Sequence, residues 1–215
     1  MSRATEIRRQ VFSALDRYKL IIFIAIPVMI GIAVGITFLK TGADRKTEKA
    51  WTKLWEVSRN QTIAANTNPD DKEKTTARAI NEYNYIINDI SAESVSPWAL
   101  FQLGNTYYES GDYDKALNTY KRFLNEDHDH YMAPFAKQSI GYTYEQKGQY
   151  QEAIDQFKKI DSEILLTQKN LDLGRCYEKL GLTQPAIDAY NKVIELEGND
   201  NNWIRIAQYR IDALK

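Results

Sequence analysis

Hydrophobic residues are distributed in two different ways along this chain. Residues 20–39 form an unbroken run of 20 residues without a charged side chain. From about residue 44 onward, apolar residues instead recur three or four positions apart, which is the period of an amphipathic helix. A helix of 20 residues rises about 30 Å, the thickness of a bilayer core. The pattern therefore predicts a transmembrane helix at residues 20–39, followed by an all-α domain.

The charges that flank the apolar run bear on its orientation. Five lysines and arginines precede it in residues 1–19, and five more follow it between Lys40 and Lys53. A long domain can be translocated largely regardless of charge, whereas a short positive tail resists translocation. We therefore expect the 1–19 tail in the cytoplasm and the remaining domain on the periplasmic or extracytoplasmic side of the inner membrane.

Two glycines lie inside the apolar run, one turn of helix apart. Gly31 and Gly35 form a G-x-x-x-G pair. Such small residues let the backbones of two membrane helices approach closely. We expect a helix–helix contact at this pair.

A block of sequence repeats three times after residue 97. Each copy has an apolar residue before a glycine, a second glycine seven residues later, and then an alanine followed after four residues by an aromatic residue. The first glycines are Gly104, Gly141 and Gly174. The second glycine is expected to end one helix in a left-handed conformation. The alanine and aromatic residue share one face of a second helix.

This block resembles the tetratricopeptide repeat (TPR), a helix–turn–helix unit of about 34 residues. The resemblance implies an all-α right-handed superhelix of antiparallel helix pairs. It divides the chain into a cytoplasmic tail, a membrane helix, a divergent first repeat, three TPR units and a capping helix, at residues 1–19, 20–39, 40–96, 97–133, 134–166, 167–200 and 201–215. In the divergent unit, Trp51, Leu54 and Trp55 are expected to face inward. In the capping helix, Trp203, Ile204, Ala207 and Ile211 are expected to form the inner face.

The resemblance also places a binding groove along the first helix of each unit. In TPR units, positions 2, 5, 9 and 12 of that helix line the concave face, and stacked repeats present this face as a long groove. The matching positions here, with two residues of the last helix, are Trp98, Phe101, Asn105, Tyr108, Phe135, Gln138, Tyr142, Glu145, Gln168, Leu171, Arg175, Glu178, Arg205 and Tyr209. Their aromatic, amide and guanidinium groups suit a protein partner.

Composition excludes several other functions. The chain has 28 basic and 29 acidic residues, which argues against a nucleic-acid-binding surface. One cysteine and two histidines exclude an internal disulfide framework and argue against a metal site. Nucleotide-binding, hydrolase and metalloprotease motifs are absent from the sequence. We therefore expect no enzymatic activity, no catalytic residue, no cofactor, no metal and no small-molecule substrate.

Two segments carry the competing hypothesis of a metal protein or an enzyme. Asp127, His128, Asp129 and His130 could ligate a divalent ion, but neighbours on one loop rarely converge on one ion. We interpret the segment as a solvated turn. Cys176 follows the cation Arg175, which could activate a thiol. A half-buried structural cysteine is the preferred interpretation.

The order of tail, membrane span, small TPR domain and solitary last helix resembles the YfgM-type ancillary subunits of the bacterial Sec translocon. That resemblance implies a translocon- or chaperone-associated helper that binds membrane or secreted proteins and contacts the bilayer through residues 20–39. Two alternatives remain: a scaffold or assembly subunit of an envelope enzyme complex, and a self-assembling structural protein.

Overall fold

The computed structural model of the 215-residue chain contains nine α-helices in the part of the chain that it describes. It describes the backbone of residues 3–64, 69–90, 92–197 and 202–215, without the side chains of residues 3–28, 30, 33, 38, 69–71 and 197. The helices are α1 Arg3–Ala64, α2 Pro69–Tyr85, α3 Ser96–Glu109, α4 Tyr113–Glu126, α5 Ala133–Gln146, α6 Tyr150–Lys158, α7 Leu166–Lys179, α8 Thr183–Glu197 and α9 Asn202–Ala213. A π-helical turn, Ile86–Ile90, follows α2, and a 3₁₀ turn, Glu163–Leu165, precedes α7.

The chain forms two compact units, residues 1–49 and 50–215. From Arg3 onward, the backbone of the first unit is helical. No helix among the described residues is both long and apolar enough to cross a membrane. Most of the predicted span at 20–39 falls on residues whose side chains lie outside the described set. Gly31 and Gly35 meet no described atom within 4 Å of a Cβ placed on them, so their helix–helix contact stays a prediction.

The second unit consists of successive antiparallel helix pairs. The helices pair as α3 with α4, α5 with α6 and α7 with α8, and α9 packs on α8 as a single last helix. These pairs coincide with the three predicted repeats. Pro97 and Pro134 stand in the first turns of α3 and α5, where the missing N–H has no intrahelical partner to lose.

Close contact between the two helices of each pair depends on the first glycine of the repeat. A Cβ placed on Gly104, Gly141 or Gly174 would lie 2.5, 2.3 or 2.4 Å from the ring of Tyr120, Phe157 or Tyr190 in the second helix. No real Cβ tolerates such a distance. The aromatic ring therefore fills the space that the missing side chain leaves.

The second glycine of each repeat ends the first helix. Gly111, Gly148 and Gly181 have φ angles of 80°, 71° and 70°, the left-handed region that glycine adopts at little cost. In all three of these turns, the residue after the glycine donates its N–H to a carbonyl five residues back, as in a Schellman motif. The predicted left-handed ends are confirmed.

The core of the second unit follows the repeat. Ala116, Ala153 and Ala186 are fully buried at the start of the second helices, and the aromatic residue four positions later is buried beside each of them. The small alanine allows the helices to approach, and the aromatic residue buries a large apolar surface between them. These are the two positions that the repeat pattern assigned to the helix interface.

The divergent first pair uses a polar contact where the other pairs use a glycine. Tyr83 of α2 is fully buried, and its hydroxyl donates to Gln61 Oε1 of α1 at 2.7 Å. Leu54 is buried and Trp51 packs against the core. The prediction that Trp55 faces inward is wrong, because 71% of this residue is exposed. The buried side of α1 is formed by Ala50, Leu54 and Val57, and Trp55, one position after Leu54, points about 100° around the helix from it.

Candidate protein-binding groove

The predicted groove residues stand on α3, α5, α7 and α9, and we call the side of the unit that these helices form the first-helix face. Its residues on α5, α7 and α9 are connected from helix to helix by hydrogen bonds and ion pairs. The structure therefore brings many of the predicted residues together, but it uses several of them to join the repeats.

At the α3 end, the first-helix face is mostly packed. Phe101 is only 8% exposed, and its ring lies 5.9 Å from Tyr120 and 6.0 Å from Phe123 between ring centroids. The expectation that Phe101 projects into an open groove is therefore wrong. The cause is local: α3 packs directly on its partner α4, and Phe101 faces that helix.

Trp98 belongs to an aromatic cluster at the start of α3. Its ring lies 5.9 Å from Trp51 and 5.2 Å from Tyr131. Asn105 and Tyr108 are half-buried, and the Tyr120 hydroxyl donates a hydrogen bond to Asn105 Oδ1 at 2.7 Å. Phe135 of α5 packs against the core. At this end of the face, the predicted groove residues therefore contact other parts of the protein.

Between α5 and α7, the face is a polar network around a buried carboxylate. Asp172 has no exposed side-chain surface, and it accepts hydrogen bonds from Tyr142 at 2.9 Å, Gln168 at 3.0 Å and Arg175 at 2.8 Å. Gln138, which is buried, lies 3.5 Å from it. Burial raises the pKa of Asp172, and the adjacent Arg175 acts in the opposite direction.

Arg175 connects this network to the preceding repeat. Its guanidinium binds Glu145 of α5 through two hydrogen bonds of 2.8 and 2.6 Å, and these raise the pKa of Arg175. Planar bidentate pairs of this kind are strong and geometrically specific. Tyr142 is likewise engaged, since its ring packs on Phe157 and its hydroxyl binds Asp172. Both residues therefore hold repeats together, a role that the sequence pattern did not indicate.

The same type of link joins α7 to the last helix. The Arg210 guanidinium donates to both carboxylate oxygens of Glu178, one at 3.0 Å. Glu145 and Glu178 stand at the same place in successive repeats, four residues after the first glycine of the repeat. A glutamate–arginine pair thus recurs along the first-helix face.

An open cleft lies at the C-terminal end of this face. It has a volume of about 380 Å³ and is lined by Gln168, Leu171, Arg175, Tyr190, Trp203, Ile206 and Arg210. We call it the C-terminal cleft. Leu171 is buried at its base, whereas Trp203 and Ile206 are 41% and 46% exposed. A cleft with an apolar base and polar edges is suited to take up a partner's side chain.

The sequence pattern predicted only part of this cleft. Gln168, Leu171 and Arg175 were predicted, but Ile206 and Arg210 were missed and Trp203 was assigned to the inner face of α9. Ala207 and Ile211 do form that buried face. The missed signal is the spacing of residues 203, 206 and 210, which places them on a second face of the same helix. Arg205 and Tyr209 are exposed on α9 but do not line the cleft.

The aspartate–histidine segment divides into two parts. His128 and Asp129 are exposed, with 80% and 89% of their side chains accessible, as a solvated turn requires. His130 differs from the prediction: its ring stacks on Tyr131 at 4.7 Å, and its Nδ1 accepts the backbone N–H of Met132. Within the described residues, no three His, Cys, Asp or Glu side chains are grouped as metal ligands. The thiol of Cys176 is fully buried, which raises its pKa and opposes nucleophile chemistry.

Comparison with known proteins agrees with this architecture. The model of the tetratricopeptide repeat-like domain family matches residues 15–215. Among solved structures, a MamA protein is similar at 22% identity over 78% of this chain and 81% of its own, with a TM-score of 0.59. A putative kinesin light chain from Podosopora anserina with nearly identical TPR-like repeats has 13% identity, coverages of 77% and 85% and a TM-score of 0.59.

A MamA fragment from Desulfovibrio magneticus RS-1 is 15% identical over 75% of this chain and 89% of its own, with a TM-score of 0.52. At these identities the likeness shows the fold alone. A search of curated proteins yields no significant match. The family match covers nearly the whole chain and agrees with the repeated helix pairs, so the chain belongs to the tetratricopeptide repeat-like domain family.

Proposed function

We propose that this chain is a membrane-anchored TPR protein that binds other proteins through its first-helix face, with the C-terminal cleft as the main contact. The observation that carries the proposal is the cleft itself, because it combines an apolar base with exposed Trp203 and Ile206. TPR-like domains are typically protein-interaction scaffolds rather than enzymes. Large aromatic and aliphatic residues in such a position typically account for much of the binding energy of an interface.

The anchor and its topology form the second part of the proposal. The uncharged run at 20–39 and the basic tail before it support a single span with residues 1–19 in the cytoplasm. The TPR unit then lies on the extracytoplasmic side, where it serves as a translocon- or chaperone-associated helper. Protease added outside the intact inner membrane should digest the domain. Complete protection until that membrane is lysed would contradict this topology.

A pull-down from solubilised membranes tests the binding function. The variant Trp203→Ala with Ile206→Ala should lose captured proteins that the wild-type chain retains. Leu180→Ala with Leu182→Ala is the matched control, because these leucines are similarly exposed but lie at the α7–α8 turn. Equal capture by the cleft variant and the wild type would contradict the proposal, provided that both retain their helical circular dichroism.

A scaffold subunit of an envelope complex is the second candidate function. A hollow of about 680 Å³ lies on the outer side of α1, lined by Thr52, Trp55, Glu56, Ser58, Arg59 and Thr62. The exposed Trp55 and Ile63 give this side of the helix an apolar surface of its own. Loss of capture on Trp55→Ala, with capture retained by the cleft variant, would favour the scaffold.

A further inference from the structure

The cationic groups of the C-terminal cleft are already occupied by the protein's own carboxylates. Arg175 is bound to Glu145 and Asp172, and Arg210 is bound to Glu178. Both bonds to the glutamates are bidentate. A partner's carboxylate would find only the N–H groups that remain on each guanidinium, and the carboxylates already bound there would repel it. Two arginines therefore line the cleft without forming an anion receptor.

The charge around the cleft is negative or balanced rather than positive. Asp172, Glu145 and Glu178 face the two guanidinium groups of Arg175 and Arg210. The net charge of residues 50–215 as a whole is also negative. Residues 1–49 hold nine of the chain's 28 basic residues and four of its 29 acidic residues, which leaves 19 basic and 25 acidic residues in 50–215. An incoming negative charge is repelled by this field and an incoming positive charge is attracted.

The lining of the cleft sets a second requirement. Leu171, Trp203 and Ile206 offer apolar surface, and burying it against a polar side chain would leave that side chain without hydrogen bonds. An aliphatic or aromatic anchor fills the space at no such cost. The anchor supplies affinity, and the charges beside it decide between partners.

We infer that the C-terminal cleft selects protein segments in which an aliphatic or aromatic anchor is flanked by lysine or arginine, and that it rejects segments flanked by aspartate or glutamate. This inference rests on the proposed protein-binding function and specifies the partner's chemistry. The paired arginines thus act in specificity by exclusion: the protein's own carboxylates balance their charge, so acidic and C-terminal carboxylate ligands meet no net positive charge in the cleft.

Binding of three designed peptides to the full chain in detergent micelles tests the inference. Each peptide is about 12 residues long and carries two leucines, with lysine, glutamine or aspartate at the flanking positions. Fluorescence anisotropy should rank the affinities as lysine above glutamine above aspartate, with about tenfold or more between the extremes at low salt and a smaller ratio at high salt. Equal or tighter binding of the aspartate peptide would overturn the inference.

One substitution should change this selectivity without altering the apolar lining. Glu178→Gln leaves a hydrogen-bonding partner for Arg210 but no negative charge, so the affinity for the aspartate peptide should rise by about threefold or more. Glu195→Gln is the control, since it removes the same charge from an exposed position that does not line the cleft. An aspartate peptide that responds equally to both variants, or to neither, would show that the paired arginine does not set the selectivity.

The peptide and pull-down experiments fail independently. If no peptide binds but the Trp203→Ala, Ile206→Ala variant loses cellular capture, the binding function stands and the inferred chemistry is wrong. If the peptides bind in the expected order but capture is unchanged, the chemistry stands and the cleft is not the functional site in the membrane.

Discussion

A residue of the first-helix face can either face a partner or join neighbouring repeats, and its position in the sequence does not distinguish these two roles. Tyr142 and Arg175 occupy positions that TPR units expose, yet here they bind Asp172 and join two repeats. Position in the repeat assigned both residues to the first-helix face. It did not predict their partners, because Asp172 and Glu145 are contributed by different helices and their approach depends on how α5 packs beside α7.

Arg175 is expected to matter for stability as much as for binding. Arg175→Met keeps much of the side-chain volume but leaves Asp172 fully buried without its cation, and removing one member of a buried ion pair is strongly destabilising. Because Arg175 itself is partly exposed, we expect a loss of about 2 kcal/mol in the free energy of unfolding, measured by urea titration. The double variant with Asp172→Asn should recover part of this loss. If the loss in the double variant equals the sum of the losses in Arg175→Met and Asp172→Asn, the two groups do not interact.

At the scale of helices, sequence alone predicted most of the architecture. The three glycine–aromatic pairs fix where the two helices of each repeat touch, and the left-handed glycines fix where the first helices end. These are local requirements, so they leave a pattern along the chain. The outward orientation of Trp55 could not be predicted in this way, because the described part of the first pair lacks the glycine that sets the register of the others.

Gly141→Val tests the tight contact between α5 and α6. The new Cβ would lie 2.3 Å from the Phe157 ring, so the helices must separate or the ring must move. Overpacking of this kind costs about 1–3 kcal/mol, and we expect the upper end of that range in urea unfolding. Gly148→Asn is the control. No atom lies within 4 Å of a Cβ there and asparagine tolerates the left-handed region, so the loss should be about 1 kcal/mol or less. Equal losses would contradict the assigned contact.

The buried tyrosines of the second helices predict a stability that falls at alkaline pH. Desolvation, reinforced by the hydrogen bond with Glu178, raises the pKa of Tyr190 to about 12. Since this folded-state pKa lies above the unfolded value of about 10, the stabilisation is complete below pH ~10 and is lost as the pH rises toward ~12. Urea unfolding across this interval should show the decline. Tyr190→Phe should reduce its slope, and an unchanged slope would contradict the burial of that hydroxyl.

At the scale of the molecule, the proposed binding function depends on the last half-repeat. The helix α9 packs on α8 through Ala207 and Ile211, while Trp203 and Ile206 turn to the cleft. The sequence pattern predicted residues 201–215 as a capping helix and placed the groove along all the first helices. In the structure a cleft opens at the C-terminal end of that face, whereas Phe101 is engaged in ring packing and Tyr142 in a hydrogen bond between repeats.

Site-specific photocrosslinking in intact membranes tests the central claim that this cleft holds a protein partner. A photoreactive residue at Ile206 of the full chain should yield discrete crosslinked products that mass spectrometry identifies as other proteins, and these should disappear when Trp203 is changed to Ala. The same residue placed at Leu180, exposed at the α7–α8 turn, should yield few or none of them. Identical products from the two positions, or none from Ile206, would contradict the assignment of the cleft as the binding site.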